Sequence, residues 1–271
     1  MNNFKIKSWA LIAIFMCFIA CDPWEDEQDL LINVENPEDP SDPSDPSTPP
    51  TASMLLKMKK YTYEDNVEWE EYTYDDQKRL IKVHSYGEEN PDLHYAEIIY
   101  EYVSASKVTS VASVYVNGNL LSKVTNSYEH IDDATLKIIT ESDITGVINS
   151  TATYSPPCGI HTMENVANFM GTPTTSVTTY EFTDDNCSYK EFVDGEWEET
   201  VTKDNKKSPE YDLFAAFMNL KKHNILKVES EDGSIQTTTY QYNEEGYPTQ
   251  ASHTFNEEAM EDPYTVTYTY Y

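Results

Sequence analysis

The amino-acid sequence predicts a mainly β fold, an antiparallel meander curled into a barrel-like sheet with one amphipathic helix packed on or in it. Three observations predict this. Tyrosine and threonine alternate with polar residues in successive runs, as in "EWEEYTYDD" and "TTTYQYNEEGYP", and side chains two apart share a strand face. Short segments of Asn, Asp, Glu and Gly divide these runs and read as hairpin turns. A single strong helical segment, Ser208 to Asn224, instead repeats its apolar residues at intervals of three and four.

The first element is not part of the fold. Lys5 and Lys7 give a positive start, and Ser8 to Ala20 is uncharged. That run is short for a membrane-spanning helix, which needs about 20 apolar residues, and fits the h-region of a secretory signal over residues 1–20. "FIAC" resembles a bacterial lipoprotein signal, in which a small residue precedes an invariant cysteine. Phe18 and Ile19 depart from the commonest form, whereas Ala20 and Cys21 fit. The resemblance implies cleavage after Ala20, acylation of Cys21 and hence a membrane partner. Two or more acyl chains would hold the protein firmly without a spanning helix.

Residues 21–52 read as an acidic, proline-rich tether. Positions 22–50 carry ten acids, no Lys or Arg, and half of the 14 prolines. Proline fixes φ and lacks a donor, which excludes helix and central strand. The segment reads as an extended, self-repelling spacer, or as plain disorder without a spacing role. Acids directly after the cysteine, "DPWEDEQD", resemble the surface-export signal of Bacteroidetes lipoproteins. That implies an outer-membrane lipoprotein exposed at the cell surface.

Residues 53–271 read as one β domain. Strand–turn–strand units cover Tyr61 to Val83, Ile98 to Val124, Thr178 to Val193 and Thr237 to Phe255, with a last strand from Thr265 to Tyr271. Tyr72 and Tyr74 share a face, as do Tyr100 and Tyr102, Tyr240 and Tyr242, and Tyr268 and Tyr270. Paired across strands they would form an aromatic ladder. Asn117-Gly118 is a hairpin turn requiring positive φ, and Gly246 is the positive-φ position of a longer turn. In the helical segment Ser208 caps, Pro209 occupies the first turn, and Lys221, Lys222 and His223 sit at the negative end of the dipole. Its face of Leu213, Phe214, Phe217 and Leu220 would plug or cover the concave side of the sheet. "MENVANFMG", 163–171, is a second, weaker helical candidate.

"TTTYQYNEEGYPTQA", preceded by "NLKKHNILKV", resembles Bacteroidetes lipoproteins of unknown function with a porin-like β fold, whose strand units are reminiscent of YD repeats. The likeness extends over most of 53–271. It implies an antiparallel, barrel-like sheet and supplies no established catalytic residues. "YTYDDQKRL" departs from the pattern by lacking the turn glycine.

Composition excludes some functions. A formal charge of −30 repels phosphate backbones, so nucleic acid is not the partner. The six histidines are scattered, with no H-E-x-x-H, G-x-S-x-G or phosphate loop. "DDNCSYKEFVDG" starts like a calcium loop, but Tyr189 replaces the sharp-turn glycine and the twelfth position is not Glu. No cofactor or metal site is expected. Cys158 and Cys187, 29 residues apart, are a disulfide candidate in an oxidising compartment, or two buried thiols. With 48 acids, the count alone cannot single out a catalytic carboxylate pair. Trp69 and Trp197 lie among acids and are the candidates for a ligand platform. The expected function is a non-catalytic binding module for a glycan or another envelope ligand. The alternatives are a structural or assembly protein that contacts other envelope proteins, and a hydrolase using an acidic pair.

Overall fold

The computed structural model describes residues 54–271 apart from 89–90, 93, 105, 133, 143–145, 156–157, 170–171, 210–222 and 260. The signal, Cys21 and the tether lie outside the described residues. Sixteen strands follow one another: β1 (Leu56–Thr62), β2 (Val67–Tyr74), β3 (Leu80–Gly87), β4 (Tyr95–Ser104), β5 (Lys107–Val116), β6 (Asn119–Asp132), β7 (Thr135–Ser142), β8 (Gly146–Ser155), β9 (Gly159–Phe169), β10 (Thr172–Phe182), β11 (Tyr189–Val193), β12 (Glu196–Lys207), β13 (His223–Ser230), β14 (Ile235–Tyr242), β15 (Pro248–Phe255) and β16 (Tyr264–Tyr270). Each pairs antiparallel with its neighbours in sequence, and β1 pairs with β16, so the meander closes into a barrel. Closure removes both sheet edges, which would otherwise expose unpaired backbone groups.

Period-two alternation sorts the side chains between lumen and exterior. On β6, Ser122, Val124, Asn126 and Tyr128 are buried and face inward, while Leu121 and Lys123 on either side of Ser122 are exposed. Their register partners Val108, Ser110 and Ala112 on β5 are buried too. One inner cluster joins Tyr128, Leu136, Ile138, Ala152 and Ile160 from β6 to β9. A second joins Leu56, Tyr72, Leu80 and Val83, with Tyr74, Tyr100, Tyr268 and Tyr270 packed against it. The tyrosine ladder is therefore an inward feature and builds core.

Four of the inward tyrosines share a further task. A register shift leaves one extra residue in β1 at Lys57, in β3 at Ile81, in β13 at Leu226 and in β15 at Thr249. Such bulges disrupt the ladder locally. In each case the carbonyl just before the extra residue accepts a hydrogen bond from a tyrosine hydroxyl on the next strand. Tyr74 donates to Leu56 O at 2.7 Å, and Tyr102 to Leu80 O at 3.0 Å. Tyr240 donates to Ile225 O at 3.1 Å, and Tyr270 to Pro248 O at 2.8 Å.

The turns at one rim repeat a second device. Asp75, Asp184 and Asn243 each accept, through Oδ1, the amide of the residue four on. Each also accepts, through its carbonyl, the amide three on. The third residue lies in the left-handed region: Lys78 at φ 65°, Cys187 at 59°, Gly246 at 84°. Lys78 thus occupies the place where the repeat pattern asks for glycine. At the opposite rim Asn117 and Gly118 take φ 52° and 72°, as a two-residue hairpin requires. The same rim as Asp75 holds the disulfide between Cys158 and Cys187, with Cα atoms 5.3 Å apart, tying the β8–β9 turn to the β10–β11 turn. Closing a loop of this size contributes about 3–4 kcal/mol on a chain-entropy argument. Both chain ends of the barrel meet there, Tyr271 N donating to Leu55 O.

Two expectations about helices change. Residues 163–171 are not helical over their described part, because Met163 to Phe169 continue β9, paired on both sides with β8 and β10. Pairing in the sheet interior overrides a weak local preference. The body of the amphipathic segment, 210–222, lies outside the described residues. Its expected C-terminal end is strand: His223 and Asn224 open β13, where the Asn224 amide donates to Asp204 Oδ1 at 3.1 Å. Among the described residues the single helical element is a 3₁₀ turn, Glu257–Ala259.

Two substitutions test these devices by chemical denaturation. Tyr102→Phe withdraws the donor from the Leu80 carbonyl and should cost about 1–2 kcal/mol, while an unchanged midpoint would show that the carbonyl is satisfied otherwise. Lys78→Gly relieves a left-handed L-residue and should stabilise by roughly 0.5–1 kcal/mol, the strain relieved exceeding the added freedom of the unfolded chain.

Candidate functional site

The outer wall carries one unusual row. Trp69 on β2 stands opposite Tyr86 on β3, Tyr86 opposite Tyr95 on β4, and Tyr95 opposite Tyr115 on β5. All four face outward, because the inward positions of these strands are those of Tyr72, Val83, Ile98 and Ala112. Trp69 and Tyr86 stack with centroids 5.5 Å apart, and Tyr95 and Tyr115 at 4.5 Å. His84 touches both pairs, 5.2 Å from Tyr86 and 5.3 Å from Tyr95. Lys60, the register partner of Trp69 on β1, sits 5.9 Å over its ring. Beyond Tyr115 the row continues to Leu120, which is exposed. The row lies close to the rim formed by the β1–β2, β3–β4 and β5–β6 turns.

Trp197 is elsewhere. It is exposed on the outer face of β12, opposite Phe192, and its indole N–H donates to Thr200 Oγ1 at 3.2 Å. The barrel does not bring Trp69 and Trp197 together. Sequence reasoning singled out Trp69 but missed Tyr86, Tyr95 and Tyr115. Each was a visible aromatic, yet only the register places them in line.

Charged groups on the inner wall form two nests. At the seam, Lys59 on β1 lies 3.7 Å from Glu70 on β2, both buried. Glu70 also accepts from the hydroxyls of Tyr61 at 3.0 Å and Tyr72 at 2.7 Å. Further along this wall His253 contacts Thr238 and Gln236, and stacks on Tyr264 at 4.4 Å. Burial, aided by the Lys59 charge, pushes the His253 imidazole down to about 4. The second nest sets Glu191 on β11 directly opposite Glu199 on β12. Burial, then the neighbouring Glu199 and Glu198 charges, push Glu191 up to about 7, and Glu199 is raised by the same kind of causes. Tyr189 donates to Glu199 at 3.3 Å. Lys203, buried beside them, lies 5.2 Å over the Tyr189 ring and is lowered to about 8, chiefly by burial. Among the described residues no group of three or more His, Cys, Asp and Glu is arranged to hold a metal ion.

The nests imply opposite pH trends. Glu191 holds its proton more tightly in the folded state, so its contribution is complete below about 4.5 and is lost as pH rises through about 7. His253 binds its proton less tightly when folded, so its contribution is complete above 6.5 and is lost as pH falls through about 4. The two partly cancel in the native chain. Thermal melts of Glu191→Gln should therefore gain on the native protein steadily from pH 4.5 to pH 8. A constant difference between the two would mean that Glu191 titrates normally.

No sequence family and no curated protein matches this chain. Among solved structures it is similar to a porin-like protein from Bacteroides uniformis, at 15% identity and a TM-score of 0.56, over 82% of this chain and 99% of that one. A porin-like protein from Bacteroides vulgatus aligns over 81% of this chain and 99% of its own at 9% identity, with a TM-score of 0.42. At such identities the first likeness shows the fold, a porin-like closed barrel, and the second adds no argument.

Proposed function

We propose that the chain is a lipid-anchored lipoprotein of the cell envelope, whose barrel stands outside the lipid on the acidic tether and acts as a non-catalytic binding module. The observation that carries this reading is the outer wall. A barrel that spans a bilayer needs an apolar outer band about 25 Å tall, and each Lys at mid-membrane costs roughly 2–4 kcal/mol. Here Lys82 and Glu97 pair across β3 and β4 at 2.9 Å, and Lys107 and Glu129 across β5 and β6 at 3.3 Å. Glu101, Lys123 and Lys137 are exposed on the same face. Such a barrel suits water on its outside and needs Cys21 to stay at a membrane.

The topology adds an orientation. The barrel begins at residue 54 on the rim of the Asp75, Asp184 and Asn243 turns, so an anchored tether would hold that rim toward the membrane. The loops of the far rim contain no Lys or Arg and carry Glu64, Glu88, Asp194, Asp232 and Glu257 among their acids. A surface site in the outer membrane is supported by the acids after Cys21 and by the envelope setting that the name "porin-like" suggests for the Bacteroides structures.

A hydrolase reading has one observation in its favour, the opposed Glu191 and Glu199. It stands behind, because burial raises both carboxyls, helped by Glu199 and Glu198 at Glu191 and by Glu198 at Glu199. Acid–nucleophile chemistry needs two groups whose affinities for the proton are pushed apart.

The test is Cys21→Ser in the full-length chain expressed in a bacterial host. The native protein should fractionate with membranes and take up labelled palmitate. The variant should be exported and recovered folded in the aqueous fraction without detergent. A variant that stays in the membrane and requires detergent would show that the barrel itself spans the bilayer.

A further inference from the structure

We propose that the outer row Trp69–Tyr86–Tyr95–Tyr115 is a platform for an uncharged, linear glycan, an inference that rests on the binding-module reading above. The row asks for a cause. It lies on the wet side of a single closed sheet, so its rings build no core there. The outer faces of β14 to β16 carry threonines instead, at Thr237, Thr239, Thr265, Thr267 and Thr269. Cross-strand stacking alone would stabilise a sheet wherever it was placed, yet these rings fall in one register line over four adjacent strands. A lipid-contacting girdle would encircle the barrel, and this row does not.

Its geometry suits a chain molecule. Neighbouring strands are about 4.8 Å apart, so the row offers one ring per strand along a straight path about 15 Å long. Polar groups edge it on one side: Glu71, which accepts from the Tyr86 hydroxyl at 2.8 Å, and the Lys82–Glu97 pair. Each pair is stacked face to face, so the row presents half-buried ring edges to solvent; the C–H groups of a sugar chain can lie along them, and its hydroxyls can exchange with these groups. Beside the row Lys82 is paired with Glu97, Glu71 accepts from the Tyr86 hydroxyl, and the chain as a whole carries −30. That balance disfavours an anionic polymer and suits a neutral one. The row also lies near the rim opposite the point where the tether enters, facing away from an anchoring membrane.

The experiment uses the mature lipidated protein in detergent micelles on an array of neutral and anionic oligosaccharides, followed by calorimetry with the best neutral hit. A neutral linear glycan should bind, and both Trp69→Ala and Tyr95→Ala should weaken it at least about tenfold. Trp69→Phe should retain most of the affinity, and Trp197→Ala all of it. Near-ultraviolet dichroism confirms that each variant is folded. Binding that survives Trp69→Ala and Tyr95→Ala but is lost elsewhere overturns the platform and leaves the binding-module reading intact. Preference for anionic glycans overturns the neutral assignment, and an array on which the native protein binds nothing overturns both readings.

Discussion

The hydrogen bond from a tyrosine hydroxyl to a bulge carbonyl is the interaction on which this barrel depends. A sheet of sixteen strands closes only if its strands twist and bend, and bulges supply the bend. A bulge disturbs the ladder locally, and a buried carbonyl left unsatisfied there costs about 1–3 kcal/mol. Tyr74, Tyr102, Tyr240 and Tyr270 answer this at the bulges of β1, β3, β13 and β15. A phenol suits the task because it buries a large ring and delivers its donor beyond it. The abundance of tyrosine, 21 residues in all, thus has a use that hydrophobicity alone would not give.

The same requirement explains the repeating unit. In the hairpins β1–β2, β3–β4, β13–β14 and β15–β16 a bulged strand precedes a strand bearing two inward tyrosines. Where the chain turns after β2 and β14, Asp75 and Asn243 fold the turn identically, and Tyr74 and Tyr242 lead into it. One tyrosine caps the bulge behind, and the Asx residue sets the turn ahead. Strand direction, face and turn are therefore specified together within about twenty residues, from Leu56 to Asp75 and from Ile225 to Asn243, which makes each local choice agree with the closed sheet.

These facts also bound what the sequence reveals. The Tyr-x-Tyr strands, the Asn117-Gly118 turn and the positive φ of Gly246 are legible because alternation and turn chemistry are local. Lys78 was harder, since a lysine in the left-handed region imitates glycine without resembling it. Strands β7 to β9 carry Ser, Thr and Asn inward, at Ser142, Thr140, Ser150 and Asn165, so alternation of polarity fades and 163–171 reads as helix. The site was less legible than the fold. Trp69, Tyr86, Tyr95 and Tyr115 come from four separate strands, and a shift of one residue in any register would break the line. Glu191 and Glu199 are likewise an ordinary pair of acids until β11 and β12 set them face to face.

Register is therefore the quantity that joins fold to function, and the seam shows how it is held. Polarity alone would not forbid a slip of β1, since Lys59 and Lys60 put a lysine on each of its faces. The interior does forbid it. In the observed register Lys59 points inward to Glu70, and Tyr61 and Tyr72 complete the carboxylate's shell. A slip of one residue would turn Lys59 to water and leave Glu70 buried without its cation, which is far costlier than the pair is stabilising. A buried ion pair contributes little to net stability, yet it discriminates strongly between this pairing and its neighbours. Because β1 also places Lys60 over Trp69, the nest that fixes β1 against β2 inside the barrel aligns the first position of the aromatic row outside.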